Sequence, residues 1–285
     1  MDRRHFLAAT GAGAAVGVAG CLGGGSDRPS PDDSERPSAD ETDRPFSDAE
    51  WRTEDTLDVA TLSERHADAL VDAGGATLLS TAATSHDGDA DPSPWLPSQE
   101  YEAAYDLENG RQYVRQEVTE TDETDVSELY VADGTALIRR QTVDETRYGS
   151  QSVDRSSGEL EATMRSEVVT GIRVEGETTD GETEYEGLNL WNPTSDGAGN
   201  VRGEPTARFT ADAFEGDRNV PETVETASAT VHVYESGVVP RLEQSWAGDH
   251  DGQGATVDVD IDYRDFGATV PEPDWVETAR EETSG

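Results

Sequence analysis

From Thr256 to Phe266 apolar and acidic residues alternate: Val257, Val259, Ile261 and Tyr263 share one side, and Asp258, Asp260 and Asp262 the other. A period of two predicts a strand with one face in a core and one in solvent. The same period marks Ala76 to Ala83 and the series Tyr101, Ala103, Tyr105, Leu107. Asn109-Gly110 then supplies a favoured hairpin turn into Arg111 to Thr119. Leu129 and Val131 lead to a second such turn, Asp133-Gly134, with a return through Leu137 to Val143. Thr230 to Glu235, a Ser236-Gly237 turn and Val238 to Trp246 read as a further pair before the 256–266 strand.

Two segments change period. Thr61-Leu62-Ser63-Glu64 has the spacing of a capping box and predicts a helix from Leu62, with Leu62, Ala69, Leu70 and Ala73 on one face and Gly74-Gly75 as its stop. From Ser157 to Arg173, Leu160, Met164, Val168 and Ile172 recur every four residues, which predicts an amphipathic helix between the two groups of strands. Helix, antiparallel strands, helix, antiparallel strands and a short tail make an α+β fold, without the strand-helix alternation of a parallel sheet.

Composition changes the setting of this fold. The chain of 285 residues has 62 acidic and 21 basic residues, a formal net charge of -41, and every basic residue is Arg. Like charge on this scale opposes compaction in dilute salt. Multimolar salt shortens the Debye length to about 3 Å or less and removes the repulsion. The composition therefore points to an extreme halophile. It also argues against nucleic acid as a partner, since phosphate binding needs basic surface.

The first residues read as an address. Arg3, Arg4, Phe6 and Leu7 fit the R-R-x-F-L pattern of twin-arginine export signals. An uncharged run follows from Phe6 to Gly20, short for a membrane span and suited to a signal peptide. It ends in Val18-Ala19-Gly20-Cys21, which resembles the lipobox of prokaryotic lipoproteins, where the signal is cut before a cysteine that then receives a lipid. Cys21 is the only cysteine, so no internal disulfide is possible. The segment 22–50 is dominated by Gly, Ser, Pro, Asp and Glu and cannot bury enough apolar surface to offset its chain entropy. The expected organisation is a signal peptide over 1–20, a lipidated cysteine and acidic tether over 21–54, and one domain over 55–285.

Catalytic patterns are missing: no G-x-S-x-G elbow, H-E-x-x-H helix or phosphate-binding Gly-Lys loop occurs. Asp87-Gly88-Asp89-Ala90-Asp91 spaces its carboxylates like the start of a calcium loop, yet Pro92 stands where the EF-hand needs Gly and Ser98 where it needs Glu. Asp249-His250-Asp251 sits in a Gly-rich turn, and one His with carboxylates is a weak metal signal. His66 reads as a packed or partly exposed side chain, Trp191, Trp246 and Trp275 as core or rim aromatics, and His232 as an outward residue of its strand. We expect no enzymatic activity, no cofactor and no bound metal.

The twin-arginine lipobox, the acidic tether, Leu62…His66…Leu70 with Gly74-Gly75, and the ending Tyr263-Arg264-Asp265-Phe266-Gly267…Pro271-Glu272-Pro273-Asp274-Trp275 together resemble a group of haloarchaeal surface lipoproteins of uncharacterised role. The strand order is similar to that of lipoprotein carriers of the LolA and LppX/LprG type. That resemblance implies an antiparallel sheet curved into a half-barrel, with helices over its concave face and an apolar cavity for an acyl chain. Leu160, Met164, Val168 and Ile172 would then face the ligand. The expectation is a protein anchored to the outer face of the cell membrane through Cys21 that binds a lipid, another apolar ligand or an envelope partner. The alternatives are a structural or adhesive protein with a filled core, and a hydrolase that uses scattered carboxylates.

Overall fold

The computed structural model describes residues 44–87, 98–120, 123–170, 172, 187–216 and 220–284. Eleven strands form one antiparallel sheet in the order β6-β5-β4-β3-β2-β1-β11-β10-β9-β8-β7. The first meander comprises β1 (Thr77–His86), β2 (Ser98–Asp106), β3 (Arg111–Glu120), β4 (Glu123–Ala132), β5 (Thr135–Gln141) and β6 (Thr146–Ser152). The second comprises β7 (Thr194–Val201), β8 (Glu204–Ala211), β9 (Thr223–Val233), β10 (Arg241–His250) and β11 (Gln253–Arg264). First and last strands of the sequence join the two, with Leu78 opposite Tyr263 and Ala82 opposite Val259. Edges β6 and β7 do not pair, so the curved sheet stays a half-barrel.

Local chemistry fixes the hairpins. Asp133 and Gly134 both have positive φ, 50° and 73°, the geometry of the two-residue turn whose twist matches its flanking strands. Gly75 solves a different problem. At φ 137° its backbone lies against β2 so closely that a Cβ would stand 2.0 Å from the Tyr105 carbonyl oxygen, and only glycine tolerates both.

Helices α1 (Val59–Asp72) and α2 (Ser157–Thr170) pack on the inner face, and α3 (Val276–Thr283) on the outer face beside β5 and β6. The cap of α1 differs from the expected one: Asp58, not Thr61, is the N-cap, and its Oδ1 accepts the Thr61 N–H at 3.0 Å. A carboxylate three residues upstream outcompeted the threonine because it reaches the free N–H groups of the first turn. The capping box instead occurs at α2, where Ser156 N–H donates to Glu159 Oε2 at 2.7 Å and Glu159 N–H to Ser156 Oγ at 3.3 Å.

The inner face of β11 carries Val257, Val259, Ile261 and Tyr263 at 6%, 1%, 4% and 1% exposure. Together with Leu62, Leu70, Phe209, Val231, Leu242 and Trp246 they form the main core under α1 and α2. The body also begins before residue 55. Trp51 lies in this core at 2% exposure, edge-on to Phe46 and Phe209, with its Nε1 donating to the Glu235 carbonyl. Two aromatics were enough to anchor a segment whose average composition is that of a tether. A second cluster joins Tyr130, Ala132 and Leu137 on the outer face to Val270, Trp275, Val276 and Ala279, so the expected short tail is a docked helix.

Candidate functional site

Helix α2 crosses the inner face with Leu160, Met164 and Val168 turned to the sheet, and Ile172 follows just beyond its end. These residues, expected to face a ligand, are 2%, 0%, 1% and 0% exposed and belong to the packed core with Trp51, Trp246, Phe209 and Tyr263. An apolar ligand reaches them only if α2 lifts from the sheet. Ring contacts among Trp191, Phe214 and Trp246, two tilted and one edge-on with centroids 5.0 to 5.6 Å apart, fill the neighbouring part of the core.

The rim of α2 facing β2 and β3 is polar. Glu167 accepts hydrogen bonds from the hydroxyls of Tyr101 and Tyr105. Tyr105 also accepts from Gln112 Nε2 at 3.2 Å, and Gln112 Oε1 accepts from Arg155 at 2.5 Å. Burial, reinforced by the Glu167 charge, pushes both tyrosines well above the ordinary phenol range. They are permanent donors. The chain from Arg155 to Glu167 therefore locks α2 to β2 and β3.

Beyond this rim the inner face of the first meander is only part-covered. Register places Ala103, Val114, Leu129, Ile138 and Gly149 directly opposite one another on successive strands, and opposed residues share a face. Ala103 is fully buried, while Val114, Leu129, Ile138 and Gly149 are half-buried. The row is thus an apolar gutter that leaves the core under α2 and opens toward the sheet edge.

Titratable groups elsewhere are structurally engaged. His66 is fully buried on α1, its Nδ1 accepts the Val239 N–H at 3.2 Å, and its ring stands edge-on to Tyr263 at 4.4 Å. Burial lowers its pKa to about 3. On the outer face Arg241 bridges Glu243 at 2.9 Å and Asp260 at 2.6 Å, and Ser245 donates to Asp258 at 2.6 Å. Glu128, 6% exposed, accepts from Tyr113, Arg139 and Trp275 at 2.8, 2.8 and 3.1 Å, which ties α3 to the sheet. His232 is 3.0 Å from the Thr206 hydroxyl on the outer face. A cavity of about 350 Å3 between α3 and β4 to β6 is lined by Tyr130, Leu137, Ser150 and Arg280 among others.

Among the described residues no group of His, Cys, Asp and Glu is arranged to hold a metal ion. Of the calcium-like run only Asp87 is described; Asp89 and Asp91 lie outside the described residues. Arg3, Arg4, Phe6, Leu7, Val18, Ala19, Gly20 and Cys21 do too. Among the described residues no helix is long and apolar enough to cross a membrane. The apolar gutter went unseen in the sequence because Val114, Leu129 and Ile138 meet only through the pairing of three strands.

A sequence model described as "Family of unknown function (DUF7537)" matches residues 12–279. No curated protein matches the chain. Solved structures similar to it include a LolA superfamily protein from Nitrosomonas europaea, with 11% identity, 75% of this chain and 94% of that one covered, and a TM-score of 0.20. A DUF1329 family protein from Desulfovibrio piger ATCC 29098 has 9% identity, 76% and 95% coverage, and a TM-score of 0.19. Overlaps at that score carry no conclusion about this chain.

Proposed function

The chain belongs to that family of unknown function, and from this premise we propose that it is a non-enzymatic lipoprotein that binds an apolar ligand. It is exported through the twin-arginine signal at Arg3, Arg4, Phe6 and Leu7, cut after Val18-Ala19-Gly20, and held by lipid on Cys21 at the outer face of the membrane of an extreme halophile. The observation that carries the binding role is the half-buried row Val114, Leu129, Ile138, continuous with the core under α2. Aliphatic side chains in a row on a concave sheet offer an acyl chain favourable burial at about 25 cal/mol per Å2. They offer a charged substrate nothing.

Binding along the gutter needs no cavity beneath α2, which suits a core already filled by Trp51, Trp246, Tyr105, Tyr263 and Met164. The filled core also favours the second reading, a structural or adhesive surface protein without a ligand. A fluorescent fatty-acyl probe titrated against the domain in molar salt separates them. Saturable binding that Leu129→Asp abolishes supports the carrier, and no binding by the folded protein supports the structural role.

A further inference from the structure

The gutter also indicates what kind of headgroup its ligand carries, an inference that rests on the apolar-ligand reading. Arg139 and Arg140 point to opposite faces of β5. Arg139 meets Glu128 on the outer face at 2.8 Å. Arg140 lies on the inner face directly opposite Arg147 of β6, and both are exposed. Arg147 pairs with Glu145. The Arg140 side chain alone among those of the described arginines has neither a hydrogen bond nor an ion pair. The nearest acidic positions of the inner face, Asp125 and Glu145, each lie one register step away, beyond Ser127 and Arg147, and neither makes an ion pair with it.

Like charges directly across a strand pair are destabilising. A chain with 62 acidic and 21 basic residues has carboxylates to spare, so an unpaired arginine facing another is an arrangement that an external anion completes. Its position is equally informative. The row Tyr101, Gln116, Ser127, Arg140, Arg147 runs beside the apolar row Ala103, Val114, Leu129, Ile138, Gly149. From β2 to β6 the apolar row spans four inter-strand steps, about 19 Å, the length of a long alkyl chain. At its open end Gly149 presents no side chain, and the arginine pair stands next to it.

We propose that the ligand is an amphiphile with an anionic headgroup, its alkyl chain laid along Val114, Leu129 and Ile138 and its headgroup held between Arg140 and Arg147. Guanidinium groups suit this task because they bind phosphate or carboxylate through paired N–H donors.

Calorimetric titration of the folded domain in molar NaCl with decyl phosphate, decyl maltoside and inorganic phosphate tests this. Decyl phosphate should bind at least about tenfold tighter than decyl maltoside, and the double variant Arg140→Gln, Arg147→Gln should erase that difference while maltoside binding is unchanged. Both arginines are exposed, so the variant should keep its melting temperature. Equal affinity for the two alkyl probes, or an unaffected double variant, overturns the headgroup assignment and leaves the apolar-ligand reading standing. Inorganic phosphate binding as tightly as decyl phosphate overturns it in favour of a simple anion site. Binding of neither alkyl probe overturns both readings.

Discussion

Folding strips His66 of its affinity for protons. Its pKa falls from the ordinary 6.5 to about 3 because the imidazolium would lose its water inside the core. Below about pH 6.5 the unfolded chain takes up a proton that the folded chain refuses, so stability is full above that pH and declines as pH falls toward 3. The slope from this one group is about 1.4 kcal/mol per pH unit. His232, lowered by burial on the outer face, adds to it with the same sign. Denaturant melts at fixed high salt between about pH 5 and 7 should show this decline, and His66→Phe should flatten it although the Val239 hydrogen bond is lost. An unchanged slope in the variant would assign the acid sensitivity to the carboxylates instead. Gly75 is a residue with a single permitted identity. Gly75→Ala should lower the melting temperature sharply, since its Cβ meets the Tyr105 carbonyl.

At the scale of elements, α2 and α3 are held by different means. Met164 is wholly buried beneath α2, and Met164→Ala should cost about 2 to 5 kcal/mol in denaturant melts. Helix α3, of eight residues, depends on Trp275, Val276 and the buried Glu128. Glu128→Ala should cost ~3 kcal/mol, because Arg139, Tyr113 and Trp275 lose their shared acceptor, and hydrogen exchange should quicken first in α3.

Elements whose two faces differ in chemistry were readable in the sequence. Strand β11 alternates aliphatic residues with aspartates, and α2 repeats Leu160, Met164, Val168 with period four. Strands β6 (TRYGSQS) and β7 (TSDGAGNV) carry no such contrast, since polar residues and glycine occur on both faces. They are strands because a hairpin partner satisfies their backbone on one side. The same reason hid the proposed binding face. Val114, Leu129 and Ile138 are unremarkable in their own strands, and Arg140 opposite Arg147 is a consequence of the β5–β6 register. Trp51 escaped notice because a window average around it reads as charged and flexible.

The whole molecule is a filled half-barrel with an acidic exterior. With 41 excess negative charges its folded state should gain from screening, and the melting temperature should rise between about 0.1 M and 3 M salt as the Debye length drops from about 10 Å to below 3 Å. Tethering is tested separately from folding: Cys21→Ser should release the protein from membrane to medium or leave it unprocessed, seen by fractionation and mass. The proposed tether would place the gutter beside a lipid surface, where an amphiphile is at hand. The most direct measurement is mass spectrometry of solvent extracts from the mature protein purified from its own membrane in multimolar salt. The account predicts a co-purifying amphiphile, near one per chain, that is missing from Leu129→Asp. A folded protein that yields no amphiphile, and takes up none when supplied, would contradict it.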